Sequence, residues 1–434
     1  MRNYRDLISD CVHCGFCLPA CPTYVSWGNE MDSPRGRIDL MKGVYDGVIP
    51  LDAATIGHFD TCLGCMACVT ACPSGVRYDV LIESTRAKVE AVAQRGPFDR
   101  AFRSLIFGLM PYPARLRLLA LPLVAYAKSG LQALVRRSGL LRRLPPRLAQ
   151  LDALLPSLSF ADLRRDVAPF TAAKDGRARA RVGLVAGCVQ RAFFPNVNAA
   201  TVRVLSAEGC DVSVPPGQGC CGALSLHAGR LEEAKRFARA LIDRFDGSSA
   251  ETIVINAAGC GSALKEYGEL LADDPAYAER ARAFSAKVRD VNEFLVTLEP
   301  QAPRGRIERR VAYHDACHLA HAQRIREAPR TLLRSIPGLE LLEIPQGEMC
   351  CGSAGTYNLL QPASAREIGE RKVDNVTSVA PDLIASANPG CTIQIQSIAR
   401  ERGADLAAAH PIELLDAAIS SACDGAPTPR YPLT

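Results

Sequence analysis

Cys11-Val12-His13-Cys14-Gly15-Phe16-Cys17-Leu18-Pro19-Ala20-Cys21-Pro22 returns fifty-one residues later as Cys62-Leu63-Gly64-Cys65-Met66-Ala67-Cys68-Val69-Thr70-Ala71-Cys72-Pro73. Both copies read C-x2-C-x2-C-x3-C-P, the spacing that holds [4Fe–4S] clusters in bacterial ferredoxins. In that pattern the first three thiolates wrap one cluster on a tight loop. The fourth, sent off by the following proline, ligates the other cluster. Cys11, Cys14, Cys17 and Cys72 are thereby expected to hold one cluster, and Cys62, Cys65, Cys68 and Cys21 the second. Zinc sites favour paired C-x2-C with a longer spacer, so the doubled triplet speaks for iron–sulfur. Two such clusters imply an electron carrier.

The rest of the chain fits that reading. Its 434 residues suggest about three domains. Cysteine is the compositional outlier at 18, and the opening MRNYRDLISD lacks the apolar core of a secretory signal. That many thiols without export are better read as reduced metal ligands than as a disulfide framework, and a cytoplasmic location is expected. No apolar run is long enough for a spanning helix. The net charge of +5 is modest, and ten Lys or Arg without one Asp or Glu lie between Arg100 and Leu151. The remainder is slightly acidic, which argues against nucleic-acid binding.

Residues 1–95 read as a mainly helical two-cluster unit. Ser33-Pro34 marks a helix N-terminus, with Ile38, Leu40, Met41 and Val44 on its apolar side. Arg35 and Arg37 either offset thiolate charge or sit on a solvated helix start. A further helix is predicted through Leu81, Thr85, Val89 and Val92. Residues 96–178 form a Leu/Arg/Pro-rich connector, predicted as short helices interrupted by Pro111, Pro113, Pro122 and Pro145-Pro146. Such a basic stretch can meet a membrane surface or a partner, or simply bridge its own chain.

An internal repeat follows, over 179–300 and 305–422. Arg181 precedes Cys188 by the same seven positions that separate Arg310 from Cys317. Cys220-Cys221-Gly222 and Cys350-Cys351-Gly352 stand 32 and 33 positions after those first cysteines, and Cys260 and Cys391 follow 39 and 40 positions after the pairs. Apolar periodicity makes each copy strand–helix–strand–helix–strand, a parallel sheet with right-handed crossovers. Every repeat cysteine follows a strand, so each set converges at the carboxyl edge of its sheet, where α/β folds collect ligands. Cys188, Cys220, Cys221 and Cys260 are one candidate metal site, and Cys317, Cys350, Cys351 and Cys391 another. Cys210 and Cys423 lie outside the repeat and are expected to be free thiols. His314, His318 and His321 crowd Cys317; a ligand or proton-relay role competes with a polar loop, and the loop is preferred. The predicted fold class is α+β multidomain: a helical two-cluster ferredoxin-like domain followed by two repeated α/β parallel-sheet cysteine-rich domains. No dinucleotide, P-loop or serine-hydrolase motif stands in context, and no group that would take hydride from a substrate is visible.

Two ferredoxin runs followed by two Cys…Cys-Cys-Gly…Cys repeats resemble the iron–sulfur subunits of membrane-associated flavin dehydrogenases. The stretches CVHCGFC, DSPRGRI, CPSGVRY, GCGSALKEYG and CCGSAGTY are similar to those of the glycolate oxidase (glycolate dehydrogenase) iron–sulfur subunit family. The resemblance implies FAD on separate glycolate oxidase subunits, which oxidise glycolate to glyoxylate. Electrons then pass through this chain towards a quinone-side acceptor, and no flavin binds here. It also implies two [4Fe–4S] clusters, with one or two more in the repeats. Iron–sulfur subunits of glycerol-3-phosphate and D-lactate dehydrogenases share the architecture. The repeat also resembles that of heterodisulfide reductase, whose motif ends C-x2-C; here Ala263 and Gln394 take the last position, leaving four cysteines per repeat.

Overall fold

The computed structural model describes residues 3–424 except 157 and the side chains of 142, 423 and 424, so the Cys423 thiol lies outside the described residues. The N-terminal unit is helical. Helix Pro34–Tyr45 starts as its sequence requires: the Ser33 side chain accepts from the Gly36 N–H at 3.0 Å, and Pro34 takes the first turn, where no N–H is needed. Helix Tyr78–Val92 buries Leu81, Ile82, Thr85 and Val89 against Ile38, Met41 and Phe59. The two cysteine loops hang between these helices.

The repeats form two sheets. The first contains β1 (Phe170–Thr171), β2 (Ala180–Val185), β3 (Cys210–Ser213), β4 (Thr252–Ile255) and β5 (Val288–Asp290), in the order β1-β3-β2-β4-β5. All its pairings are parallel except β1 with β3. The second contains β6 (Arg309–His314), β7 (Leu339–Glu343), β8 (Leu383–Ser386) and β9 (Ala408–Ala409), parallel throughout in the order β7-β6-β8-β9. The equivalence of β3-β2-β4 with β7-β6-β8 is the repeat made visible. The outer strands β1, β5 and β9, two or three residues long, are too short to leave a periodic signal.

The two copies are not separate globules. Helix Pro195–Ala207 of the first packs on Pro411–Asp424 of the second, and Val291–Leu298 packs reciprocally on Glu327–Arg334. One continuous core runs from Val182, Leu184 and Leu205 to Val311, Leu333 and Leu415.

The connector clamps this body. Phe102 and Ile106 pack on Leu359 and Leu360 of the second repeat, while Ala120 and Val124 share a cluster with Phe193 of the first. One expectation fails here: Pro122 does not interrupt a helix but sits inside Pro113–Lys128. The carbonyl it leaves without a helical donor belongs to Leu118, an exposed position where water can replace the missing bond. Pro113 and Pro146 each occupy a first turn, as prolines can. Among the described residues no single helix is long and apolar enough to cross a membrane; Pro113–Lys128 and Leu131–Arg137 pass on length and composition only as a pair bent by 69°.

Candidate metal centres

Each ferredoxin-type run forms an open loop with left-handed residues at its third and fifth positions. These are His13 and Gly15 in the first run (φ 54° and 87°), and Gly64 and Met66 in the second (φ 64° and 62°). Non-glycine residues held there cost about 1–2 kcal/mol each, a local strain that the fold sustains at both loops. The loops turn their thiols inward.

Cys11, Cys14, Cys17 and Cys72 line one hollow, and Cys21, Cys62, Cys65 and Cys68 line a second, with Cys68 also reaching the rim of the first. The fourth cysteine of each run has thus crossed to the other run's triplet. The first hollow is close to solvent: Cys14 is exposed, and beside it Val12 and Phe16 are about two-thirds exposed. All four cysteines of the second are buried.

The second hollow carries its own counter-charge. Arg37 is fully buried, not part of a solvated helix start. It donates to the His58 carbonyl, the Thr23 and Thr61 hydroxyls and Asp32 Oδ1. Arg86 donates to the Cys62 carbonyl and to that of His227. Burial alone would raise the Cys62 thiol. The Arg37 and Arg86 guanidiniums, the Tyr78 hydroxyl at 3.6 Å and the Gly64 N–H at 3.4 Å outweigh it and carry Cys62 below the ordinary value. Burial and then the neighbouring thiolates push Cys65 and Cys68 well above theirs. Cys17, in the first hollow, is raised to about 11, mainly by burial. Arg35 instead pairs with Glu30 and donates to the His13 carbonyl, bracing the first loop.

In each repeat the cysteines form a matching chain of contacts at the carboxyl edge of the sheet. Cys188 Sγ lies 3.6 Å from Cys220 Sγ, and further sulfur contacts run from Cys220 to Cys221 and on to Cys260. The second repeat repeats this from Cys317 through Cys350 and Cys351 to Cys391. Gly222 and Gly352, both at φ +85°, make the turn after each pair. A Cβ there would meet the carbonyl oxygen of Ala234 at 3.0 Å or of Ala365 at 2.4 Å. None of the described cysteines forms a disulfide. Cys210, buried in β3 and raised to about 12 mainly by burial, stands apart as a free thiol. At the positions where a fifth cysteine is missing, Ala263 is buried in the first repeat's core. Gln394 spends its amide on the Ala365 carbonyl and Asn358.

The histidines near Cys317 are not a polar loop. His318 and His321 lie in a π-helical turn, His318–Ala322, and all three are buried. This turn is the joint of the molecule: the His321 imidazole is 3.1 Å from the Thr70 hydroxyl, and the His318 ring lies 4.9 Å from that of His227 in the first repeat. Sequence periodicity missed it because a single π-turn matches neither helical nor strand spacing. At the same joint Cys65 sits with Cys317, Cys350 and Tyr357 in one buried cluster, so the second hollow abuts the second repeat's cysteines.

Clustered thiols with buried cations beside them, on a helical dicluster unit and two cysteine-edged sheets, define an iron–sulfur protein. Residues 7–76 match the 4Fe-4S dicluster domain family, 182–265 and 311–396 the cysteine-rich domain family, and 98–155 the linker region of the glycolate oxidase iron-sulfur subunit. The chain is 39% identical over 392 residues to the probable glycolate oxidase iron-sulfur subunit of Bacillus subtilis, covering 89% of this chain and 88% of that protein. It is 36% identical over 429 residues to the glycolate oxidase iron-sulfur subunit of Escherichia coli, covering 96% and 97%. Lactate utilization protein A of Shouchella clausii is 33% identical over 236 residues, 54% of this chain and 98% of that protein. The chain belongs to the glycolate oxidase iron–sulfur subunit family.

Proposed function

We propose that this chain is the electron-transfer subunit of a flavin-dependent glycolate oxidase. Its partners carry FAD and turn glycolate into glyoxylate, and the chain relays the electrons towards a quinone-side acceptor. The observation that carries the reading is contiguity. A near-surface cysteine hollow adjoins a buried one, and the buried one adjoins the second repeat through Cys65 and Cys317.

In this reading Cys11, Cys14, Cys17 and Cys72 hold one [4Fe–4S] cluster, and Cys21, Cys62, Cys65 and Cys68 a second. Cys317, Cys350, Cys351 and Cys391 hold a third metal group, and Cys188, Cys220, Cys221 and Cys260 a fourth. The donor sets fit: four thiols in each, with the Arg37 and Arg86 guanidiniums beside the second set and Lys372 beside the third. Bound clusters supply one-electron carriers. The protein's residues do the rest. The paired loops fix the thiolates, Arg37 and Arg86 offset their charge, and burial of the second set keeps water from it. Val12 and Phe16, exposed beside Cys14, are the face on which an FAD-carrying subunit docks. The basic, leucine-exposing helices of 113–137 are the part of the connector that meets a membrane surface, with Leu118, Leu131 and Leu134 exposed.

The test is to purify the complex anaerobically and assay glycolate-dependent reduction of a dye acceptor. The isolated chain should show neither that activity nor stoichiometric flavin. Iron content reports the occupied sets, with two cubes giving about eight irons per chain, three about twelve and four about sixteen. Flavin retained by the isolated chain, or a complex inert towards glycolate, overturns the reading.

A further inference from the structure

The two repeats share a fold but not a donor set. His314 ends β6 with both ring nitrogens buried and without a hydrogen-bond partner among the described residues. A buried imidazole with nothing to bind is costly, of the order of 1–3 kcal/mol per unsatisfied group, so the site calls for a partner. What lies within reach is sulfur: a His314 ring nitrogen and the Cys351 and Cys391 thiols all fall within 4.8 Å of one another.

The first repeat has no histidine at that strand end; its own imidazole, His227, follows the Cys-Cys-Gly turn and is tied through Nδ1 to Glu83. The register of Arg181 with Arg310 and of Cys188 with Cys317 puts Val185 where His314 stands, and Val185 is packed among Cys188, Cys220 and Cys221. A second difference points the same way. Gly222 against Ala234 corresponds to Gly352 against Ala365, which places Leu241 at the position of Lys372. The buried Lys372 ammonium donates to the Gln346 and Gly347 carbonyls at 3.0 Å, and its charge is felt by Cys350, Cys351 and Cys391. At these two positions the first repeat has valine and leucine where the second has an imidazole and a lysine.

We propose that His314 is a metal ligand, the fifth donor of the group held by Cys317, Cys350, Cys351 and Cys391. The inference rests on the reading that the second repeat binds an iron–sulfur group. It gives that repeat a mixed site of four thiolates and one imidazole, against a site of thiolates alone in the first. Gln394, whose amide is tied to Ala365 and Asn358, offers no such donor, and β6 supplies one at its end. The imidazole adds a neutral donor without adding charge, so the two groups differ in donor number and donor type rather than in thiolate count.

The experiment uses the full chain, anaerobically loaded with iron and sulfide and reduced, with histidine labelled by nitrogen-15. Pulsed electron paramagnetic resonance should show one strongly coupled labelled nitrogen, lost in His314→Val, the residue the first repeat already tolerates there. In His314→Cys a thiolate replaces the imidazole, so iron content should hold at the wild-type value while the nitrogen coupling disappears. If Cys351→Ser alters iron content and spectra yet the wild type shows no strongly coupled nitrogen, His314 is not a ligand and occupancy of the repeat stands. A coupling that persists in a folded, iron-loaded His314→Val protein refutes the assignment equally. If Cys351→Ser changes neither iron nor spectra, or zinc takes the place of iron, the occupancy reading falls and this inference with it.

Discussion

Replacing Arg37 by methionine should shift the reduction potential of the group held by Cys21, Cys62, Cys65 and Cys68 downward. Arg37 Nη1 donates to Thr23 Oγ1 at 3.2 Å, and Thr23 Oγ1 is 3.2 Å from Cys21 Sγ, so the cation stands no further than about 6 Å from that sulfur. At an effective dielectric of about 20, a unit charge at that distance is worth about 3 kcal/mol, or about 120 mV for one electron. An added electron spreads beyond the sulfur, and doubling the distance halves the figure. The expected fall is therefore about 60–120 mV. The direction is fixed by sign, because a cation stabilises the form with one more negative charge.

The same substitution leaves Asp32 buried without its guanidinium, and breaking a buried pair costs about 3–5 kcal/mol. Asp32 keeps His58, Thr61 and Asn29 as donors, which favours the lower end of that range. Arg37→Lys retains charge with fewer hydrogen bonds, so it should lose stability while holding most of the potential. The assay is a redox titration of the loaded chain followed by electron paramagnetic resonance, with denaturant unfolding alongside. An Arg37→Met protein that keeps its iron and titrates within about 20 mV of the wild type refutes the charge argument.

Cys21→Ala should remove the group built on Cys62, Cys65 and Cys68 while sparing that of Cys11, Cys14, Cys17 and Cys72; loss of the other signal instead overturns the exchange of fourth ligands. Gly222→Ala should destabilise by about 1–2 kcal/mol from its left-handed backbone alone. Gly352→Ala should cost more, since its Cβ would lie 2.4 Å from the Ala365 carbonyl oxygen; equal unfolding midpoints would contradict this. Arg330→Met should cost about 3–5 kcal/mol by stranding Asp315, which it grips through two hydrogen bonds of 2.8 and 2.7 Å; calorimetry of the loaded chain measures it.

The cysteines were legible because metal ligation constrains spacing more tightly than packing does. A C-x2-C-x2-C-x3-C-P run leaves few geometries for its loop, and its two copies predicted the crossed arrangement around both hollows. The strand edges were legible for a related reason: short apolar runs ending in cysteine recur at matched intervals. Other features depended on distant contacts. Arg37 and Arg35 are two residues apart on one helix, yet one is buried and the other pairs with Glu30 near the surface, which only the position of Asp32 and Thr61 decides. The histidines looked polar because their spacing fits no regular element, and their burial comes from the dicluster unit closing over them through Thr70.

The shared core of the repeats has a consequence for electron flow. Pro195–Ala207 packs on Pro411–Asp424 and Val291–Leu298 on Glu327–Arg334, so equivalent helices of the two copies exchange partners. A symmetric pair would present two equal cysteine sets to any third body. The dicluster unit breaks that equality, because Cys65 packs with Cys317 and Cys350, while at the first repeat it makes contact through Arg86 and Glu83 on His227. The second repeat is thus the one beside the buried hollow, and it is also the one that carries His314 and Lys372 where the first has Val185 and Leu241. A cation favours the form with one more negative charge, and Lys372 stands in the copy that adjoins Cys65. Sequence divergence between the repeats and the asymmetry of docking therefore coincide: in the proposed relay, the second repeat is the copy both favour as the acceptor.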